Sequence, residues 1–328
     1  MKNSTRMHFC PLRTLLAIAL LASPLLAMAD YPDKPITLIV PWAAGGGSDS
    51  VARALSNVLQ EELGTTINVV NRAGGNGIVG HAAISGAKPD GYTIGLATTA
   101  VSMLHWMGHT KLSRTDFTPI AMVNYDYSGL QISTDSPYDD AGALLEAIKT
   151  EPQGTFKGAG TGVGGIWHVA FAGLLVDQGI DTSRVTWIPS QGAAPALAEL
   201  AAGGVDIVPS SVPEGRAMME AGKAKSIAVM APERNPSFPD VPTLKEAIGS
   251  DYTLGEWRAI VGPAGMDPAI AKKLEKAVEV AYNSDSYQDF MKRLGFGMKW
   301  LNTEEFNAFL VENDTHMSGI IDSLGLKK

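Results

Sequence analysis

Ile36-Thr37-Leu38-Ile39-Val40-Pro41-Trp42-Ala43-Ala44-Gly45-Gly46-Gly47-Ser48-Asp49-Ser50 is the stretch on which the reading of this chain turns. An apolar, β-branched run stops at Pro41 and three glycines follow. Ser48 and Asp49 then open an amphipathic pattern through Val51, Ala52, Leu55, Val58, Leu59 and Leu63. The order is strand, glycine loop, helix N-terminus. Glycines admit tight turns and let a ligand approach the main chain with no Cβ in the way. The first N–H groups of the helix lack intrahelical partners and lie at the positive end of its dipole. Such a loop can hold a carboxylate or phosphate without a basic side chain. It can equally be a turn that only joins a strand to a helix.

Outward from this stretch, hydrophobic runs alternate with helical patterns almost to the end, which predicts an α/β fold with mainly parallel sheet. Strands are expected at 36–40, 66–70, 92–97, 117–123 and 130–133. A second unit begins near Asp135-Ser136-Pro137, with strands at 155–157, 185–188, 205–208 and 226–230. After Leu254-Gly255-Glu256-Trp257-Arg258 come three helical patterns. The first starts at Asp267-Pro268, N-cap and N1, and the last at the capping box Asn302-Thr303-Glu304-Glu305.

Residues 1–29 read as a secretory signal. Lys2, Arg6 and Arg13 form the positive region, 15–26 the apolar one, and Ala27-Met28-Ala29 the cleavage site. The run is short for a membrane span and no second one follows. Cleavage after Ala29 is expected to remove Cys10, the single cysteine, and to leave a periplasmic protein with no membrane anchor and no disulfide. About 300 residues remain, ample for two lobes. The net charge moves from −8 to −11, because the signal carries three basic residues and no acid. That acidity disfavours nucleic acid and anionic membranes as partners. An anion bound by such a chain has to be held by local backbone dipoles against the long-range field.

Small polar residues recur where open α/β sheets bind ligands, beyond strand C-termini. They are Ala43 to Asp49, Thr98-Thr99, Gly160 to Gly165, Ser190-Gln191-Gly192-Ala193, and Ser210-Ser211. Divided between two units, they suggest one cleft lined from both sides. Gly160-Thr161-Gly162-Val163-Gly164-Gly165 matches G-x-G-x-x-G, but the next strand ends in Ile188-Pro189-Ser190 without the acid a dinucleotide needs. His105 and His109 share helical spacing with no carboxylate or cysteine close in sequence, so no metal is expected. Asp49 is explained by helix-end hydrogen bonding, and His168 either touches a ligand or caps local backbone. Arg258 is the best-placed cation for a second carboxylate, or else part of an ion pair. No nucleophile, base and orienting group assemble, so no catalytic residue is assigned.

The residues are then recognisable as a set. Tyr31-Pro32-Asp33-Lys34-Pro35-Ile36, the Pro41 to Asp49 loop, Val70-Asn71-Arg72-Ala73-Gly74 and Lys88-Pro89-Asp90-Gly91-Tyr92-Thr93 stand in order. Gly160 to His168, Gln191-Gly192-Ala193-Ala194-Pro195-Ala196-Leu197, Gly204-Val205-Asp206, Trp257-Arg258 and Gly262-Pro263 follow. The chain resembles the periplasmic receptors of tripartite tricarboxylate transporters, the Bug or TctC solute-binding proteins. The resemblance implies two α/β lobes of the type II periplasmic-binding-protein kind, expected at 30–128 with 253–328 and at 129–252. It implies a small carboxylate in the cleft, membrane permease subunits as partners, a monomer and no cofactor. The ligand residues it implies are Trp42, Ala44, Gly45, Gly46, Gly47, Ser48, Asp49, Thr98 and Thr99 on one side. On the other they are Gly160, Thr161, Gly162, Val163, His168, Ser190, Gln191, Gly192, Ala193 and Ser210. Gly46 and Gly162 are expected to need glycine for backbone approach and for φ. Two other functions stay open on sequence: a binding protein that signals to a membrane kinase, and a secreted hydrolase using Asp49 or His168.

Overall fold

The computed structural model describes residues 31–328; the expected signal at 1–29 lies outside the described residues. Along the chain run β1 (Ile36–Val40), α1 (Gly47–Leu63), β2 (Ile67–Asn71), α2 (Ile78–Ser85), β3 (Thr93–Thr98) and β4 (Phe117–Tyr127). The chain then enters a second lobe. This contains β5 (Gly129–Ser133), α3 (Ala141–Thr150), β6 (Phe156–Gly158), α4 (Ile166–Asp177) and β7 (Val185–Trp187). α5 (Ala193–Ala201), β8 (Ile207–Val208), α6 (Arg216–Glu220), β9 (Ala224–Val229) and α7 (Leu244–Ile248) complete it. The first lobe resumes with β10 (Gly255–Pro263), α8 (Pro268–Asn283), α9 (Asp285–Leu294), β11 (Met298–Leu301) and α10 (Thr303–Ser323).

One six-stranded sheet has the order β11-β4-β10-β3-β1-β2, and one five-stranded sheet the order β7-β6-β8-β5-β9. The sheets are mixed rather than mainly parallel. β1 runs parallel to β2 and β3, and β6 to β7 and β8, each through a helical crossover. β10 lies antiparallel between β3 and β4, and β5 antiparallel between β8 and β9. These antiparallel strands are where the chain passes from one lobe to the other. Ser128 N–H donates to Leu254 O at 2.9 Å and Met230 N–H to Ser128 O at 2.7 Å, so the crossing segments are tied together.

β10 and the short β11 are the strands that sequence periodicity missed; β10 is the telling one. It is buried along its whole length, yet opens with Glu256-Trp257-Arg258. A strand buried on both faces loses alternation, and charges within it hide it further. β1 is nearly as buried because parallel neighbours flank it, and Pro41 stops it. The α1 stripe Val51, Ala52, Leu55, Leu59 and Leu63 packs onto the first sheet with α8 residues Leu274 and Val278. Gly64 ends α1 at φ 62°, a left-handed cap only glycine adopts easily. Asp267 and Asn302 cap α8 and α10 as the sequence predicts. The second lobe has its own core around Trp167, Phe171, Leu144 and Ile207, which Met317 and Ile321 of α10 join. Among the described residues no helix is long and apolar enough to cross a membrane.

Candidate functional site

The glycine loop after β1 and the loop before α4 face each other across the cleft. Asn76 Nδ2, on the first lobe, donates to Val163 O at 2.8 Å, and Ala43 N–H donates to Gln191 O at 3.4 Å. Trp42, Ala43, Gly46, Gly47 and Ser48 line an inner cavity of about 10 Å³, room for one water. Thr161, Trp167, Gly192, Ala193, Glu214 and Glu256 close it from the other sides. Outside it lies a solvent-open cleft of about 1020 Å³, bordered by Ala44, Asn76, Gly162, Ile188, Ser190 and Gln191. Trp42 lines both, its Nε1 donating to Thr98 Oγ1 at 3.3 Å.

The first loop already receives carboxylates. Gly45 N–H donates to Asp49 Oδ2 at 3.0 Å, and Gly47 N–H to Glu214 Oε1 at 2.9 Å. No side chain caps α1 at its N-cap, Gly46. The amides of Gly46, Ser48 and Asp49 make no hydrogen bond among the described residues. Gly46 and Ser48 line the inner cavity, and donors without partners at a helix N-terminus are able to bind an anion. Burial pushes the Asp49 carboxyl up, but hydrogen bonds from Arg53, Gly45 N–H and Asn71 outweigh it and hold it below the usual range. It is therefore an ionised structural brace, with Arg53 at 2.9 Å and Asn71 at 2.9 Å.

Behind the loop sits Arg258. The sequence left it either to a ligand's second carboxylate or to an ion pair; the structure shows the ion pair, because the residue is 0% exposed and fully engaged. Its Nε donates to Ser48 Oγ at 2.9 Å and its Nη1 to Asp126 at 2.6 Å and Asn124. Its Nη2 reaches Glu256 at 3.1 Å and Glu214 at 3.5 Å. A guanidinium has five N–H donors, and five protein groups claim them. Burial raises the Asp126, Glu214 and Glu256 carboxyls, Glu256 to about 7, while Arg258 opposes the rise in each. Glu256 and Arg258 share a face of β10 because strand side chains alternate.

All but Val163 of the remaining expected residues fall into two groups. Thr161, Gly162, Ser190, Gln191, Gly192 and Ala193 border the cavities. Thr98, Thr99, Gly160, His168 and Ser210 stand behind the lining. Thr99 Oγ1 accepts from Trp257 N–H at 3.1 Å, and Ser210 O from Gln131 Nε2 at 3.1 Å. A Cβ on Gly160 would meet Trp167 at 2.9 Å. His168 Nδ1 accepts from Gly164 N–H at 3.2 Å, so that nitrogen carries no proton, and burial lowers the ring to about 4. Val163 is half exposed at the rim, at 49%.

The expectation about φ needs correcting. Gly46 lies at φ −82°, open to any residue; Gly45, at φ 81°, is the glycine that needs its freedom. Gly47 is required for space, since a Cβ there would stand 2.6 Å from Arg258 Nη2 and 2.7 Å from Glu214 Oε1. Gly162 likewise lacks a positive φ, but a Cβ would meet Asn76 Oδ1 at 2.6 Å. Sequence reasoning also missed Glu214, Glu256 and Asp126. For Glu214 a signal existed: Ser211-Val212-Pro213-Glu214 is a capping box, with Ser211 Oγ donating to Glu214 Oε2 at 3.0 Å. His105 pairs with Asp314 at 3.1 Å, and no cluster of three or more metal-ligating side chains exists among the described residues.

Comparison with known proteins agrees with this architecture. The periplasmic binding protein BugD superposes with a TM-score of 0.84 at 28% identity, over 91% of this chain and 100% of that one. MatC from Rhodopseudomonas palustris, solved with bound malate, matches with a TM-score of 0.81 at 25% identity, over 89% and 100%. A UPF0065 protein encoded between tcbD and tcbE in Pseudomonas sp. strain P51 is 31% identical over 268 residues, 81% of this chain and 79% of its own. Residues 51–326 match the model of the tripartite tricarboxylate transporter family receptor. The chain belongs to that family of periplasmic substrate-binding receptors, which are binding proteins rather than enzymes.

Proposed function

We propose that this receptor captures a small organic acid between its lobes and delivers it to membrane permease subunits. The observation that carries the reading is the α1 N-terminus: amides of Gly46 and Ser48 without protein partners face the cleft, beside a Gly47 amide that already holds a carboxylate. The malate in MatC supports a carboxylate as the ligand class. The ligand's carboxylate is assigned to Gly46, Ser48 and Asp49 N–H, with Thr161 to Val163 and Ser190 to Ala193 closing from the other lobe. Thr98, Thr99, His168 and Ser210 position these loops.

The lobes are taken as 30–128 with 253–328 and 129–252, hinged where Ser128 and Leu254 are bonded. An inner cavity that admits one water means that ligand entry requires the lobes to part. Closure around the ligand then creates the surface that the permease reads, a population shift driven by contacts made only when closed. Export with cleavage after Ala29 and a monomeric state belong to the same reading.

Calorimetry or thermal shift of residues 30–328 against a panel of organic acids tests it. An acid at 100 times its Kd stabilises the folded state by about 2.7 kcal/mol. A panel on which every carboxylate leaves the melting temperature unmoved contradicts it.

A further inference from the structure

The charged cluster at and behind the inner cavity is unbalanced, with Glu214 and Glu256 lining the cavity itself. One guanidinium, Arg258, is buried with three carboxylates: Asp126, Glu214 and Glu256. All but one of the carboxylate oxygens in the cluster can be followed to their donors. Asp126 Oδ2 accepts from Arg258 and Asn124, and its Oδ1 from Gly297 N–H at 2.7 Å. Glu214 Oε1 accepts from Gly47 N–H, and its Oε2 from Ser211 N–H and Oγ. Glu256 Oε2 accepts from Arg258. Glu256 Oε1 accepts from nothing, although it is buried and the residue is 3% exposed. The Thr98 hydroxyl is near enough to hold the Glu256 carboxyl down slightly, but it does not complete a hydrogen bond to Oε1.

An acceptor buried without a protein donor depends on whatever fills the cavity it lines, so a ligand group that displaces a water there has to supply the donor in its place. Glu256 lines the same small cavity as Gly46, Gly47 and Ser48. A ligand whose carboxylate sits on those amides therefore places its neighbouring substituent against Glu256. Arg258 has no donor left for an anion there. A second carboxylate in that place would meet Glu256 and Glu214 at close range with no counter-ion, whereas an ammonium supplies both charge and N–H donors.

We propose that Glu256 is a specificity-determining residue that selects an ammonium group next to the ligand's carboxylate, so that the ligand is an amino acid or related amino-carboxylate. The inference rests on the reading of the cleft as a carboxylate site. It narrows that reading from organic acids in general to zwitterions. An acid with no substituent there leaves Glu256 Oε1 unpaired, and a hydroxy acid satisfies its hydrogen bond without its charge.

The test compares acids of one carbon skeleton by calorimetry at pH 8: aspartate, malate and succinate; glutamate, 2-hydroxyglutarate and glutarate; alanine, lactate and propionate. In at least one series the amino acid binds tenfold or more tighter than its hydroxy and unsubstituted analogues. Glu256→Gln, an isosteric change checked for folding by circular dichroism, cuts that preference below threefold. A second readout uses the unaltered chain. At pH 7, in buffers of different ionisation enthalpy, binding of the amino acid releases protons, because an ammonium favours ionised Glu256. The groups facing Glu256 from the packed elements are Arg258 on β10, Asp126 on β4 and Glu214 before α6, and none of them adds a titrating cation.

Binding of hydroxy or unsubstituted acids as tightly as the amino acid, or proton uptake with the amino acid, overturns the inference and leaves the carboxylate reading intact. Binding by no member of any series overturns both.

Discussion

The two glycine loops of the cleft look alike in sequence and differ in what their amides hold. In the loop before α1, Gly45 and Gly47 donate to carboxylates, Asp49 and Glu214. In the loop before α4, Gly165 donates to Gly162 O and Gly164 to the His168 ring nitrogen, both neutral. Gly47, Ser48 and Asp49 of the first loop are buried against an ionic cluster while Ala44 and Gly45 are exposed; the second loop is buried except at Gly162 and the half-exposed rim residue Val163. The difference assigns the roles. On the proposed reading the first loop receives negative charge, and the second is a lid that meets Asn76 across the cleft. Two glycine-rich loops would thus serve one ligand in different ways, because only one of them opens a helix over a buried arginine.

The largest expected effect comes from removing the charge that stands behind the first loop. Arg258→Gln leaves three buried carboxylates without a counter-ion, a loss of about 3–5 kcal/mol. In thermal denaturation at pH 8 this lowers the melting temperature by roughly 10 °C, and by less at pH 5.5, where raised carboxyls take up protons. A melting temperature unchanged at pH 8 would mean that the cluster is not what braces the loop.

Next come the glycines themselves. Gly47→Val drives a side chain into Arg258 and Glu214, both immobile, and is expected to weaken ligand binding by about 100-fold or more, on the order of 3 kcal/mol. Gly162→Val meets only the end of the Asn76 side chain, which can swing aside. It is expected to cost roughly tenfold in affinity with little change in melting temperature. Equal losses in the two variants, measured by calorimetry, would erase the distinction between receiver and lid.

The smallest effect is one of pH in the lid. His168 has its folded pKa lowered to about 4 from 6.5 by burial. The folded state thus binds fewer protons than the unfolded one in that window. The stability contributed by neutral His168 is full above 6.5 and is lost as pH falls toward 4. His168→Asn keeps an acceptor near Nδ1 without titrating. Lowering pH from 7 to 5.5 is expected to cost the parent roughly 3 °C more than this variant; His81, also lowered to about 4, contributes equally to both.

Much of this architecture was legible in the sequence, and the remainder was hidden for identifiable reasons. The run Ile36 to Asp49, the cap at Gly64 and the starts of α8 and α10 announce themselves because local chemistry determines them. The strand β10 does not. Its burial removes alternation; Arg258 is tolerated inside it because Asp126, Asn124 and Ser48 arrive from distant segments, and Glu256 because it pairs with Arg258. The candidate site divides in the same way. Loop residues could be named from glycine content, but Glu214 reaches Gly47 across 167 positions of sequence. The φ at Gly45, rather than Gly46, depends on how the loop folds back on Asp49, which composition does not encode.

The central claim is that a ligand carboxylate is held by the free amides at the start of α1. Its most direct test is ¹H–¹⁵N correlation spectroscopy of deuterated, mature protein during titration with a binding acid. The account predicts that Gly46, Ser48 and Asp49 amide protons move downfield together and saturate with the calorimetric Kd, as N–H groups gaining an anionic acceptor do. Saturated binding with those three resonances unmoved would contradict it.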